Sequence, residues 1–297
     1  MRIVYNSIYA NGVNAIQNAA EQLAEAQRQI SSGRRMATPS DDPLGSAAAI
    51  LEHTELARLQ TFSGAADAAG YRLNLADSAL SDIINQLTAA QTVTLSARGS
   101  AQTQAQRDAA SRELLAIRHA LVGDINTQFQ GAYIFSGAQA TTPPFVESGA
   151  TVSPYQGDGT TTRVDIANGL SAATSFDGGA IFQGGDSQHI LDALTSLATA
   201  VAAGDETNIQ AGLDAIGRAF NRATSAQSAV GNDLRAVDDA RLRTVNDRTG
   251  VIARLQTIED ADLAEAAAKL AQSDTAYQAA LQSLSLIGRI SLMDYLK

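Results

Sequence analysis

Cysteine and tryptophan are absent from these 297 residues, aromatics make up 5%, and there are five prolines. Without cysteine there can be no disulfide, no thiolate metal site and no thiol nucleophile, and the redox compartment stays open. With so few rings, the 45% of apolar residues are mainly Ala, Leu, Ile and Val, a palette suited to close helix packing. Positive charge is also short. Lys and Arg number 21 against 31 Asp and Glu, a net charge of −10 that opposes a phosphate backbone, so no nucleic-acid partner is expected. No stretch approaches the roughly 18 uninterrupted apolar residues of a spanning helix, so no membrane insertion is expected. Residues 1–30 lack the basic start, apolar run and small-residue cleavage site of a secretory signal. If the protein leaves the cell, it leaves by another route. The length allows two or three domains with a sizeable core.

What is present is a long-range apolar period. From Ile209, steps of seven give Ile216, Ala223, Val230, Val237, Thr244, Val251 and Ile258, all apolar or β-branched. A second line, Leu213, Phe220, Gln227, Leu234, Arg241, Arg248 and Leu255, is apolar at both ends and polar between. A seam returning every 3.5 residues predicts a helix lying along partner helices at a shallow angle. At about 1.5 Å per residue it would be roughly 80 Å long. Asp205, after Gly204, is its candidate N-cap. Leu59, Ala66, Leu73, Leu80, Leu87 and Thr94, offset by Ala69, Ala76, Ile83 and Ala90, predict a matching helix over 43 to about 97. Thr103 and Gln106 have capping-box spacing before a third helix carrying Leu114, Ile117, Leu121 and Ile125. A shorter run carries Ile190, Leu194, Leu197 and Val201. The fold class is therefore mainly α, an elongated bundle of long, coiled-coil-like helices from the N- and C-terminal halves.

The ends carry narrower stripes. Ile16, Leu23 and Ile30 are seven apart, as are Leu263, Leu270, Tyr277 and Leu284, on helices rich in Ala and Gln. Such a stripe supports one or two neighbours, so each terminal helix alone is marginal in water. The first partner is the other end of the chain, and the next is another copy. These seven residues are the candidate assembly surface.

Residues 136–187 differ from the rest, with nine of the 23 glycines, three of the five prolines and six charged residues. Thr162 to Ile166 alternates like a strand, and Asp158-Gly159 reads as a turn. This predicts a small β-rich insertion; a disordered linker is the competing reading.

Chemical motifs reduce to local structure. Asp41 and Asp42 could be metal ligands, but Pro43 suits a first helical position, so Ser40, Asp41, Asp42 and Pro43 read as a cap and turn. Gly157 to Gly159 reads as a turn, and Gly184 to Ser187 as a helix cap, rather than calcium or hydrolase motifs. His53, His119 and His189 lie on separate segments with no zinc spacing. Arg34-Arg35 is expected near Asp41-Asp42 or on a solvated turn. No catalytic residue, metal or cofactor is expected.

Ile30-Ser31-Ser32-Gly33-Arg34-Arg35 followed by Pro39-Ser40-Asp41-Asp42-Pro43 resembles the N-terminal signature of the flagellar hook-filament junction proteins, the hook-associated protein 3 family, relatives of flagellin. Gly131 to Gly137, followed by Pro143-Pro144-Phe145, is similar to that family's exit into its variable domain. The ending, Ser291-Leu292-Met293-Asp294-Tyr295-Leu296, is similar too. Pro39 and Pro43 favour the junction protein over flagellin, the alternative. The resemblance implies three parts: residues 1–38 with 262–297 as an inner polymerisation domain, 39–135 with 188–261 as the long-helix bundle, and 136–187 as an outer domain. It further implies type III export without a cleaved signal and assembly into a ring outside the cell. The implied partners are copies of itself, flagellin, another hook-associated protein and an export chaperone.

Overall fold

The computed structural model describes residues 2–36, 38–99, 102–149 and 151–295, with side chains described within 7–286 except Ile8. Leu296 of the terminal motif lies outside the described residues. The expected mainly α architecture forms, with long helices and a small strand-bearing segment. The helices are α1 (Arg2–Ser32), α2 (Pro43–Ser96), α3 (Gln104–Ile125), α4 (Gly178–Phe182), α5 (Ile190–Ala203), α6 (Glu206–Glu259) and α7 (Leu263–Tyr295). The strands are β1 (Gln128–Phe129), β2 (Ala132–Tyr133), β3 (Glu147–Ser148), β4 (Thr151–Val152), β5 (Arg163–Ala167) and β6 (Leu170–Ala173). The chain divides into two compact units, Met1–Arg58 with Asp247–Lys297, and Leu59–Asn246.

In the second unit the heptad lines are the core. Leu59, Ala66, Leu73, Leu80, Leu87 and Thr94 of α2 are buried, as are the offset residues Ala69, Ala76, Ile83 and Ala90. On α6, Ile209, Ile216, Ala223, Val230, Val237 and Thr244 are buried in step with them. Thr94 keeps its hydroxyl satisfied inside the helix by donating to the Ala90 carbonyl at 2.6 Å. One polar residue of the second α6 line, Arg241, has a local reason. Arg241 lies across Gly70, where an added Cβ would sit 2.7 Å from its Nη2, and it donates to Asp67 at 3.0 Å. An arginine stem thus covers backbone while its head remains paired.

Local signals set the helix starts. Thr103 and Gln106 close a reciprocal capping box on α3. Asp205 accepts from the amides of Thr207 and Asn208 at the start of α6. The cap expected from Gly184 to Ser187 is corrected. The N-cap of α5 is His189, whose side chain accepts from the Asp192 amide. Asp186 instead binds Arg218 and Arg222 of α6 at 2.7 and 2.9 Å, two charge-assisted bonds that outweigh one amide contact.

The strands form three antiparallel two-stranded hairpins, β1–β2, β3–β4 and β5–β6. Single hairpins are marginal in water, so their order comes from a ring cluster beneath them. Phe135 packs edge-on to Phe182 at 5.5 Å, and Phe145 meets Tyr155 at 5.7 Å and Phe182 at 6.4 Å. At the expected Asp158-Gly159 turn the chain bends without closing a hairpin, and the Asp158 carboxylate accepts from the Ala138 amide and the Thr160 hydroxyl, both at 2.7 Å. Asp233 of α6 anchors the β5–β6 hairpin by accepting from Arg163 and from the Ala173 amide. The disordered-linker reading is therefore set aside.

A Cβ at Gly178 would lie 2.4 Å from the Phe135 carbonyl oxygen and 2.9 Å from the Tyr155 ring. Backbone on one side and a packed ring on the other cannot both yield, so Gly178→Ala is expected to destabilise the protein by about 1–3 kcal/mol. Gly64→Ala, which meets nothing in an exposed stretch of α2, should be neutral or stabilising. Chemical denaturation of both variants checks this, and wild-type behaviour of Gly178→Ala would refute the packing account.

Candidate assembly surface

The first unit is built on α1 and α7, which pack along one another. Their run is antiparallel. Gly12 faces Leu284, where a Cβ would come within 2.9 Å of Cδ1, whereas a cleft of about 310 Å³ brings Gln22, Glu25, Ala26 and Gln29 beside Lys269, Gln272, Ser273 and Ala276. The close approach at Gly12 is what admits the Leu284 side chain.

Among the described side chains of this pair, the buried ones are small: Ala19, Ala26, Ala266 and Ser273. Of the predicted assembly residues, Ile16, Leu23, Ile30, Leu270, Tyr277 and Leu284 are half-buried, while Leu263, the first residue of α7, is 57% exposed. The larger apolar side chains therefore flank an alanine seam instead of filling it. Tyr9, Leu281 and Leu286 are exposed on the same helices. Sequence reasoning missed these three, although Tyr9 lies seven residues before Ile16 on the same line. It also missed that residues 3–20 and 275–288 contain no charged side chain. Their surface offers shape and apolar area, with no ion pair to direct a partner.

The segment between α1 and α2 is a polar clasp. Gly33 takes φ +69°, a left-handed value that ends α1 without a Cβ penalty. Its carbonyl accepts from the Ala261 amide at 2.9 Å, and the Arg35 amide donates to the Glu259 carbonyl at 2.7 Å. The Arg35 guanidinium donates at 3.0 Å both to the Ile258 carbonyl and to Asp42 Oδ2. Asp42 Oδ1 accepts from the Gly45 amide at 2.9 Å, immediately inside the helix that starts at Pro43. That amide, then Arg35, hold the Asp42 carboxyl below its ordinary range. Asp41 accepts from the Thr38 amide and hydroxyl, and the Ser40 hydroxyl lies 2.8 Å from that of Thr38. Glu259 accepts from His53 at 2.6 Å with Arg34 at 3.8 Å, and Glu52 takes a two-pronged contact from Arg254 at 2.8 and 2.9 Å. Arg254 lowers the Glu52 carboxyl in turn. Among the described residues, no group of three His, Asp or Glu side chains is arranged to hold a metal, and no helix is long and apolar enough to cross a membrane.

Residues 3–140 match the model of the bacterial flagellin N-terminal helical region. Flagellar hook-associated protein 3 of Escherichia coli (strain K12) is 26% identical over 72% of the chain and 65% of its own length. The protein of that name from Salmonella typhimurium is 27% identical over 49% of the chain and 46% of its length. The chain resembles flagellar hook-associated protein 3. The matches span about two thirds or less of those curated relatives. A solved structure of flagellar hook-associated protein-3 from Legionella pneumophila, 15% identical, superposes with a TM-score of 0.63 over 70% of this chain and 98% of that one. At that identity it bears on the fold alone. The clasp motif from Ile30 to Pro43 and the run Gly131 to Gly137 both fall within the matched 3–140 segment.

Because the Arg35 guanidinium joins the Ile258 carbonyl to Asp42, Arg35→Ala is expected to raise subtilisin cleavage within residues 33–42 by roughly threefold or more. Arg35→Lys, which keeps the charge and loses the fork, should fall between. Equal cleavage of wild type and Arg35→Ala would show that the clasp does not hold this segment.

Proposed function

We propose that this chain is a structural subunit of the bacterial flagellum that forms the junction between a hook-associated ring and the filament, polymerising through its terminal helices. The observation that carries this reading is the α1–α7 pair, whose fully covered side chains are small while Ile16, Leu23, Ile30, Leu270, Tyr277 and Leu284 are only partly covered and Tyr9, Leu281 and Leu286 are exposed, on largely uncharged helices. A pair so filled gains little by closing on itself. Neighbouring copies supply the missing apolar cover, and Leu263 belongs to the same surface. The resemblance to hook-associated protein 3 agrees with this use.

In this reading the division of labour is residues 1–38 with 262–297 for polymerisation, 39–135 with 188–261 as the bundle, and 136–187 facing outward. The subunit is exported by the type III route without a cleaved signal, its weakly filled ends opening readily for passage. Its partners are copies of itself, flagellin, another hook-associated protein and an export chaperone. No catalysis, cofactor or metal is assigned. The match over residues 3–140 also suits flagellin itself, and growth of long filaments from the purified protein alone would favour that second reading.

Leu270→Asp combined with Leu284→Asp places two charges against the alanine seam. In cells lacking the wild-type copy, swimming in soft agar is expected to be lost and the variant to be shed into the medium. The unfolding free energy of the second unit's core, from chemical denaturation followed by circular dichroism, should stay within about 0.5 kcal/mol of wild type. Normal swimming with undiminished assembly would refute the assignment.

A further inference from the structure

His189 is 5% exposed, lies directly before α5 and belongs to no surface described above. Its ring has two fixed partners. Nδ1 accepts from the Asp192 amide at 3.3 Å, and Nε2 is 3.0 Å from Asp192 Oδ2. This arrangement sets one neutral tautomer, with the proton on Nε2 donated to the carboxylate and the Nδ1 lone pair capping the helix. The ring also packs on Phe145, centroids 5.0 Å apart. Phe145 is fully buried, and Asn126 holds its backbone on both sides, donating to its carbonyl at 2.7 Å and accepting from its amide at 3.2 Å.

We propose that His189 is a pH-sensitive pin, capping α5 and seating Phe145 at neutral pH and releasing both when its Nδ1 takes a proton. Protonation turns the cap acceptor into a donor aimed at an amide donor. It also sets a positive charge at the helix end whose own dipole is positive. Asp192 already accepts the Nε2 proton, so its attraction for the new charge offsets only part of this cost. The ionisable groups on adjoining elements are engaged elsewhere: Asp186 with Arg218 and Arg222, and Glu147 with Arg118 and His119. Tyr155, against Phe145, has its phenol pushed up to about 12 by burial and stays neutral. Burial depresses the His189 imidazole below its ordinary 6.5, with Asp192 opposing. A depressed folded value means that stability is complete above 6.5 and is lost as pH falls from there toward the folded value.

The loosening has a defined extent. It includes residues 143–149 and 151–155, seated through Phe145, and 186–195, capped by His189. It leaves out β5–β6, which Asp233 ties to α6. Hydrogen–deuterium exchange of the full chain at pH 7.5 and 5.0, normalised to intrinsic rates, tests it. Peptides from 143–155 and 186–195 are expected to exchange at least about fivefold faster at pH 5.0, with 163–173 unchanged. His189→Asn, a non-titrating N-cap, should abolish the rise, while His119→Gln, at the exposed histidine on Glu147, should keep it. No rise in the wild type, the same rise in His189→Asn, or its loss in His119→Gln would overturn the proposal. Should His189→Asn fold poorly, NMR titration of the wild-type imidazole decides, because the ring must protonate in step with the rise.

Discussion

Small side chains alternate with large ones along the heptad seams, and the core of the second unit rests on that alternation. Ala66, Ala69, Ala76 and Ala90 have no exposed surface, and Ala219, Ala223 and Ala240 occupy the same role on α6. Leu73, Leu80, Ile83, Leu87, Val230 and Val237 interleave with them, so large residues meet small ones along the seam. A larger residue at the alanine positions would push the helices apart, and a smaller one at the leucines would leave voids. The near absence of aromatics follows from the same geometry. Rings are concentrated beneath the hairpins, where irregular backbone leaves spaces of irregular shape.

The same alphabet gives a different balance at the termini. In α1 and α7 alanine occupies the centre of the contact and the larger residues flank it, so the stripe that fills a core in one unit is only partly covered in the other. The difference is one of neighbours. Residues on α2 and α6 within the second unit share their core with α3, α5 and the hairpins, whereas α1 and α7 have chiefly each other. A two-helix pair with an alanine centre gains too little apolar burial to offset much backbone ordering.

These contrasts explain what could be read from the chain beforehand. The helices of α2 and α6 were legible because a period of seven maintained across more than forty residues has no competing explanation, and every seam residue from Ile209 to Val251 is buried. Thr103 with Gln106, and Asp205, were legible because capping is local chemistry within three residues. The cap at His189 was not, since histidine is a rare choice and Asp186-Ser187 offered the commoner signal. What overrode that signal, Arg218 and Arg222, lies 32 and 36 residues away. The β1–β2 and β3–β4 hairpins, of two residues per strand, are too short to show any alternation. In the clasp, the Arg35 contact with Asp42 was within reach of sequence reasoning. The tie to the Ile258 carbonyl, 223 residues on, was not.

Charge is distributed accordingly. Ion pairs fasten the parts that must keep one arrangement: Asp233 holds a hairpin, Asp186 the start of α5, Glu147 the β3–β4 hairpin, and Glu52 and Glu259 the clasp. Residues 3–20 and 275–288 have no charge to fasten anything. Exposed pairs contribute little stability each, but they penalise wrong registers, so removing them leaves a surface whose register is set by shape alone. For a subunit proposed to meet copies of itself and at least two other kinds of neighbour, that is an advantage. A charge pattern complementary to one partner would repel another, whereas an alanine seam flanked by Leu, Ile and Tyr can pack against any helix of similar relief. Specificity must then come from the clasp, which fixes the direction in which α1 leaves α2, and from the order in which neighbours become available.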